Sequence, residues 1–396
     1  MDCKHFGTCG GCSLPGMPYA QQLALKRARL AELLGIDVPP LIPSPAISAF
    51  RQKVAFVFGA GPPGEGLVMG HYARGSKAIV AVEECPVHST RGNRIAFALR
   101  DHLVRARIGA ADTGGILRHV IVRTSADDRE AVAMLVVSRN DQALRAPIRR
   151  FLASADRPDG FFLNTNEKPG PYMVGRETIR IGGRASVRER EAAGHTGTGA
   201  VDFLVSPTAF FQTNVGAARE LVRLVKEGTA HAGRVLDLYA GTGLFALTIA
   251  QAGAAVVAVE EHRQAIEDLQ ANIAFNRVAR ARLRPVCARV EDALGRVVRD
   301  RWDAVVLDPP RSGCAPAVVD GVFCRIRPER AVYVSCNPEA LAADVRTITA
   351  CGYRISSVQA VDMFPHTEHI ETVVTFRKGG GGRPGRDPDD TEWIER

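Results

Sequence analysis

The spacing of apolar residues changes character twice along the chain. Between residues 13 and 35, Leu23, Leu30, Leu33 and Leu34 fall on one side of a helical projection, with Lys26, Arg27 and Arg29 on the other. This pattern predicts an amphipathic helix. "VPPLIPSP" (38–45) breaks it. From 50 to about 190 the apolar residues come in short runs, among them "KVAFVF", "HVIVRT", "AVAMLVVS" and "GFFLN", with turn sequences such as "GPPGEG" between them. Runs of this kind predict a β-rich domain. The polar, glycine-rich stretch "REAAGHTGTGA" (190–200) reads as a loop or hairpin tip. After about residue 205 the pattern becomes strand, glycine turn, helix, strand, beginning at "RVLDLYAGTGLFALTIAQAGAAVVAVE" (234–260) and continuing through "WDAVVLD", "RAVYVSC" and "IETVVTF". That alternation predicts an α/β domain around a parallel sheet. The final "KGGGGRPGRDPDDTEWIER" has the composition of a disordered tail. The expected divisions are 1–48, 49–200, 201–378 and 379–396.

Composition narrows the class. No apolar run approaches the roughly 18 residues of a membrane span. The N-terminus has no signal-peptide core, because Cys3, Lys4, His5 and Gly7 interrupt it. The expected location is the cytoplasm, away from membranes. The nine cysteines are an odd number and six of them are scattered, which argues for reduced thiols and against a disulfide framework. The net charge of +8 is uneven: residues 1–200 hold 27 Lys and Arg against 18 Asp and Glu, and residues 201–396 hold 24 against 25. A basic N-terminal half suits a polyanionic partner, with nucleic acid first and an anionic membrane second.

Candidate chemistry lies in the second half. "LDLYAGTG" (236–243) follows a strand and opens a helix, so a ligand can approach its backbone closely. Glu260 ends the next strand, where a carboxylate can accept hydrogen bonds from both hydroxyls of a ribose. The turn lacks full dinucleotide spacing, and its D-x-x-x-G-x-G form resembles the first motif of S-adenosylmethionine-dependent methyltransferases. "VVLDPPRSG" (305–313) sets Asp308 at the carboxyl end of a strand, where α/β sheets bind ligands. Arg311 stands where amino-group methyltransferases usually carry an aromatic residue. In "YVSCNPE" (333–339) Cys336 ends a strand just before a helix, so the helix dipole should lower its pKa. Cys287, Cys314, Cys324 and Cys351 read as buried, inert thiols. Glu371 begins the last strand, near His366 and His369. A thiolate and a base suit attack at C6 of a uracil, methyl transfer to C5, and removal of the C5 proton.

Five motifs, "FFQTN", "LDLYAGTG", "DPPRSG", "SCNP" and "DMFPHTEHIET", occur in the order found in the RNA uracil-C5 methyltransferases, and the resemblance runs from Cys3 to about Arg377. It implies a Rossmann-like, S-adenosylmethionine-dependent methyltransferase domain at 201–378. Cys336 would be the nucleophile and Glu371 the proton acceptor. Gln212, Tyr239, Gly241, Glu260 and Asp308 would surround the cofactor and the target base. Leu244 departs from relatives that carry a polar residue there. In the ribosomal-RNA branch of the family, three clustered cysteines and one distant one hold a [4Fe-4S] cluster. The matching residues are Cys3, Cys9 and Cys12 of "CKHFGTCGGC" and Cys85 of "VEECPVH". Four thiolates alone would suit zinc equally. The resemblance further implies a structural cluster in segment 1–48, and an RNA-binding central domain at 49–200 that supplies Cys85. Basic residues would come from "FRQKVAF", "HYARGSK" and "ILRHVIVR". The implied substrate is a hairpin uridine of 23S ribosomal RNA, with transfer RNA or another 23S uridine as alternatives; no protein partner is implied. A catalytically inactive RNA-binding or ribosome-assembly factor, or a redox sensor, would not need Cys336 and Glu371 beside a complete cofactor motif.

Overall fold

The computed structural model describes residues 3–14, 16–61, 66–168, 173–190 and 201–379. Most of the "GPPGEG" turn, the loop at 191–200 and the tail from 380 onward lie outside them. Strands β1 (Lys53–Ala60), β2 (Leu67–Tyr72), β3 (Ile79–Ala81), β4 (Leu117–Thr124), β5 (Ala131–Val137), β6 (Gly160–Thr165) and β7 (Glu177–Gly183) form one sheet in the order β3-β2-β1-β4-β5-β6-β7. All its pairings are antiparallel except that of β5 with β6. β5 is buried along its whole length, which matches its unbroken apolar run.

Two helices in this region were not legible as such, Thr90–Arg105 and Arg145–Leu152. Ser89 caps the first by accepting from the Gly92 N–H at 3.0 Å, and Ile95, Leu99 and Leu103, spaced four apart, form its buried face. The arginines around that face masked the period.

The hairpin β8 (Val187–Glu189) and β9 (Phe203–Val205) leads to the second sheet. Its strands are β10 (Arg234–Leu238), β11 (Ala255–Glu260), β12 (Leu283–Cys287), β13 (Ala304–Leu307), β14 (Arg330–Ser335), β15 (Tyr353–Val361) and β16 (Glu371–Lys378), in the order β12-β11-β10-β13-β14-β16-β15. The first five run parallel. β16 inserts antiparallel between β14 and β15, so the sheet is mixed where alternation predicted a parallel one. No helix separates β15 from β16; an antiparallel pair needs only a short connection, whereas a parallel one needs a crossover. One apolar core joins Ile121, Met134 and Phe162 of the first sheet to Phe211, Leu221 and Val235 of the second part. No helix among the described residues is long and apolar enough to cross a membrane.

The first helix spans Tyr19–Leu34 and ends at Gly35, whose φ of 67° suits a residue without a side chain. It starts later than expected, after Pro18. Its buried residues are Gln22, Lys26 and Leu30, four apart, so Lys26 sits on the inner face and not on the polar one. The reason is Asp362: Lys26 Nζ donates to its carboxylate at 2.6 Å and to the Phe364 carbonyl at 3.1 Å, with both side chains buried. The pair pins the N-terminal helix to the segment leading into β16. Lys26→Met should therefore cost about 3–5 kcal/mol of stability in urea unfolding, because it leaves Asp362 buried and unpaired. Adding Asp362→Leu should recover much of that loss. A single variant as stable as wild type would contradict this account.

The scattered cysteines also differ from expectation. Cys314 is buried as expected, but Cys287 is exposed and Cys324 and Cys351 are joined in a disulfide. The two come together because Cys351 caps the helix Pro338–Ala350 beside the helical turn Asp320–Ile326. Sequence separation alone gave no sign of that approach.

Candidate active site

A cavity of about 630 Å³ opens at the carboxyl ends of β10, β11, β13 and β14. Its walls hold Gln212, Tyr239, Gly241, Glu260, Asp308, Cys336 and Glu371. Every residue expected from sequence to meet the cofactor or the base thus lines one space. The backbone turns sharply from β10 into the helix Leu244–Gln251. Gly241 takes φ 55° and Gly243 φ 91°, and a Cβ on Gly243 would lie 2.3 Å from the Leu269 side chain. Glu260 holds this turn from β11. One carboxylate oxygen accepts from the Gly241 N–H at 2.9 Å and the other from the His262 N–H at 2.8 Å. Tyr239 lines the cavity, and burial, then the neighbouring Cys314, raise its phenol above the ordinary tyrosine range.

Asn337 explains the "CNP" sequence. Its side-chain oxygen accepts from the Glu339 and Ala340 N–H groups, capping the helix that Pro338 begins. Its amide nitrogen donates to the Arg311 carbonyl at 2.8 Å. The loops 308–313 and 336–338 are thereby fastened together. Asn214 does the same for "FFQTN". It caps the helix Val215–Gly228 and donates to the Met363 carbonyl at 3.1 Å.

Electrostatics correct one expectation. Burial first, then the charges of Glu371 and Asp308, push the Cys336 thiol up to about 11 against the opposing charge of Arg311. The desolvation of the site and two nearby carboxylates outweigh the helix dipole. Glu371, 2% exposed, is itself held well above the usual carboxylate range by burial and by Asp308. Burial likewise raises Asp308. These shifts favour the protonated thiol over the thiolate at neutral pH. Alkylation of Cys336 by iodoacetamide, followed by peptide mass spectrometry, should rise with pH towards about 11. Glu371→Gln should move the curve to lower pH, since it removes a charge that opposes the thiolate. A wild-type midpoint near neutrality would refute this.

Phe210, Arg311, Phe364 and His369 are among the cavity residues that the sequence does not mark as site residues. Phe210 is 66% exposed at the rim, an unusual place for a phenylalanine. Arg311, Phe364 and His369 line the wall beside Cys336 and Glu371. His366, by contrast, faces the N-terminal helix. Its ring lies 2.8 Å from the Ile47 carbonyl and 3.3 Å from the Gln22 amide.

The cysteine loop lies nearby. Gly10 donates to the Tyr72 carbonyl at 2.9 Å, Cys9 bridges Ala73, and Ser13 and Leu14 donate to the His366 carbonyl at 3.0 Å. The loop thus joins the first sheet to the loop preceding Glu371, not to the β-rich region alone. Burial and neighbouring cysteines push Cys12 up to about 11 and Cys85 up to about 12, and burial followed by Cys3 raises Cys9. Such a set suits a group that takes thiolates. Among the described residues no three of these sulfurs lie within 4.8 Å of one another; the ligand atoms that do are those of His71, Cys85 and His88. Beside the sulfurs His5 Nε2, His71 Nε2 and His88 Nδ1 are buried without a hydrogen-bond partner.

A mixed sheet with a glycine turn, a carboxylate on the next strand and a cavity at the strand ends defines a Rossmann-like methyltransferase. The family model for tRNA (uracil-5-)-methyltransferase matches residues 200–379. A tRNA (uracil(54)-C(5))-methyltransferase of Pyrococcus horikoshii is 33% identical over 381 residues, covering 94% of this chain and 84% of the relative. An uncharacterized RNA methyltransferase of Thermosynechococcus vestitus is 33% identical, covering 94% and 83%. The crystal structure of the Pyrococcus abyssi tRNA (uracil-54, C5)-methyltransferase with S-adenosyl-L-homocysteine superposes with a TM-score of 0.78 at 29% identity, covering 93% of this chain and 86% of that one. The chain belongs to the RNA uracil-C5 methyltransferase family. It is an enzyme that transfers a methyl group from S-adenosylmethionine to RNA.

Proposed function

We propose that Cys336 adds to C6 of a flipped-out uridine in 23S ribosomal RNA, and that Glu371 removes the C5 proton after methyl transfer. What carries this reading is the meeting of Cys336, Glu371 and Asp308 in the cavity that holds the glycine turn. S-adenosylmethionine supplies an electrophilic methyl and a positive charge. Gly241 and Glu260 would hold its nucleoside end, with Gln212, Asp308 and Tyr239 shaping the space for cofactor and base. A positive charge in this cavity would favour the ionised forms of Cys336, Glu371 and Asp308. Phe210 at the rim offers a flat face on which an unstacked base can rest.

Cys3, Cys9, Cys12 and Cys85 would hold a [4Fe-4S] cluster with a structural role, since methyl transfer needs no electron. The cysteine group supports the ribosomal reading through its resemblance to that branch. A second reading, a uridine of transfer RNA, is favoured by the activity named for the Pyrococcus relatives. Nucleoside mass spectrometry of ribosomal and transfer RNA from a deletion strain separates the two. Loss of 5-methyluridine from 23S RNA alone supports the proposal, and loss from transfer RNA alone overturns it in favour of the second reading.

A further inference from the structure

A hollow of about 600 Å³ lies at the other end of the second sheet from the catalytic cavity. Arg330, Arg354 and Arg377 all line it, with Ser356, Ser357 and Gln359. The three arginines form a row across adjacent strands. Arg330 of β14 stands opposite Arg377 of β16, and Arg377 opposite Arg354 of β15. Residues paired in this way point to the same face, and like charges directly opposite one another destabilise a sheet. Charged residues often blunt an edge strand, but that accounts only for Arg354, because β14 and β16 are interior strands. None of the three has a carboxylate partner among the described residues. Glu227, on the same wall, pairs with Arg223 at 2.7 Å, and Glu329 lies 3.8 Å from Lys378. Arg330 is anchored from behind, donating to the Ala230 carbonyl at 2.5 Å.

We infer that this hollow binds backbone phosphates of the RNA substrate outside the target nucleotide. With neighbouring strands about 4.8 Å apart, the row spans roughly 10 Å, wider than one phosphate group. Guanidinium groups pair with phosphate oxygens in a two-pronged geometry, and the Ser357 hydroxyl adds a donor; that of Ser356 is committed to the Thr375 carbonyl at 3.0 Å. Bound phosphate would offset the repulsion that the register imposes. The inference rests on the RNA substrate and not on which uridine is methylated.

The test uses the full chain and the double variant Arg354→Gln/Arg377→Gln, measured by filter binding to unfractionated 23S RNA and to unfractionated transfer RNA over a range of salt. For at least one of these RNAs, removing two contacts should make the log–log salt slope shallower by about 1.4 and lower affinity at low salt about tenfold. Turnover at saturating RNA should be unchanged. The corresponding double lysine variant should restore the slope; failure to do so would assign the effect to folding and overturn the inference. A slope equal to wild type on both RNAs also overturns it. If, in that case, wild type but not the glutamine variant binds inorganic pyrophosphate, the hollow serves a free phosphate ligand instead. Methylated positions are read separately, so the proposed function can fail without this inference failing.

Discussion

Glu371→Gln is expected to accumulate an enzyme–RNA adduct that survives denaturing electrophoresis, with the new methyl already on the RNA, while Cys336→Ala forms none. Both side chains open into one cavity. Cys336 directly follows β14 and Glu371 begins β16, and the two strands are hydrogen-bonded neighbours with Ser335 opposite Thr372. The proposed nucleophile and the proposed base are thus set side by side by the register of adjacent strands. The amide of glutamine has nearly the shape of the carboxyl group it replaces but cannot accept the C5 proton. The thiolate can still add to C6, and C5 can still take the methyl. Elimination then stalls with the sulfur–carbon bond in place. Turnover should fall by about 10²–10⁴, the usual worth of a positioned base. Without the Cys336 sulfur there is no adduct at any stage. Normal turnover by Glu371→Gln, or a cross-link in Cys336→Ala, would remove these roles and leave only the family membership.

The sheet and its ligand end could be read from sequence because each feature is local. A β-run followed by glycines, an acidic strand end and a Pro-flanked Asp308 depend on residues a few positions apart. The pairing of Lys26 with Asp362 and of Cys324 with Cys351 depends on distant segments, so neither had a periodic signature. Lys26 looked like a solvent-facing lysine because its partner lies 336 residues away. The pKa of Cys336 misled for a related reason. Its helix N-terminus is visible in the sequence, whereas the burial and the carboxylates of Glu371 and Asp308 that oppose the dipole arise only from packing. Phe210 was overlooked because a phenylalanine beside Phe211 reads as core. Phe211 is indeed buried, and Phe210 is turned out at the rim.

Cys85→Ser should strip the protein of iron and of its brown colour, with broad absorption near ~400 nm lost from the anaerobically purified enzyme. Cys85 comes from the segment before the helix Thr90–Arg105, and Asn93 and His88 both donate to its carbonyl at 3.0 Å. It is the only one of the four proposed ligands outside the first twelve residues. Serine keeps the size of the side chain but replaces the soft thiolate that iron–sulfur centres take. The consequence should extend beyond colour. The loop it would hold donates from Ser13 and Leu14 to the His366 carbonyl, and Ser13 Oγ accepts from the Glu368 N–H at 2.8 Å. Residues 366–369 lead directly into Glu371. Loosening the cysteine loop should therefore lower methyl transfer as well as iron content, and raise proteolytic cleavage within residues 3–14. Wild-type protein that is colourless and holds one zinc per chain after anaerobic purification would overturn the cluster. Iron lost with methyl transfer intact would keep the cluster but break its link to the catalytic loop.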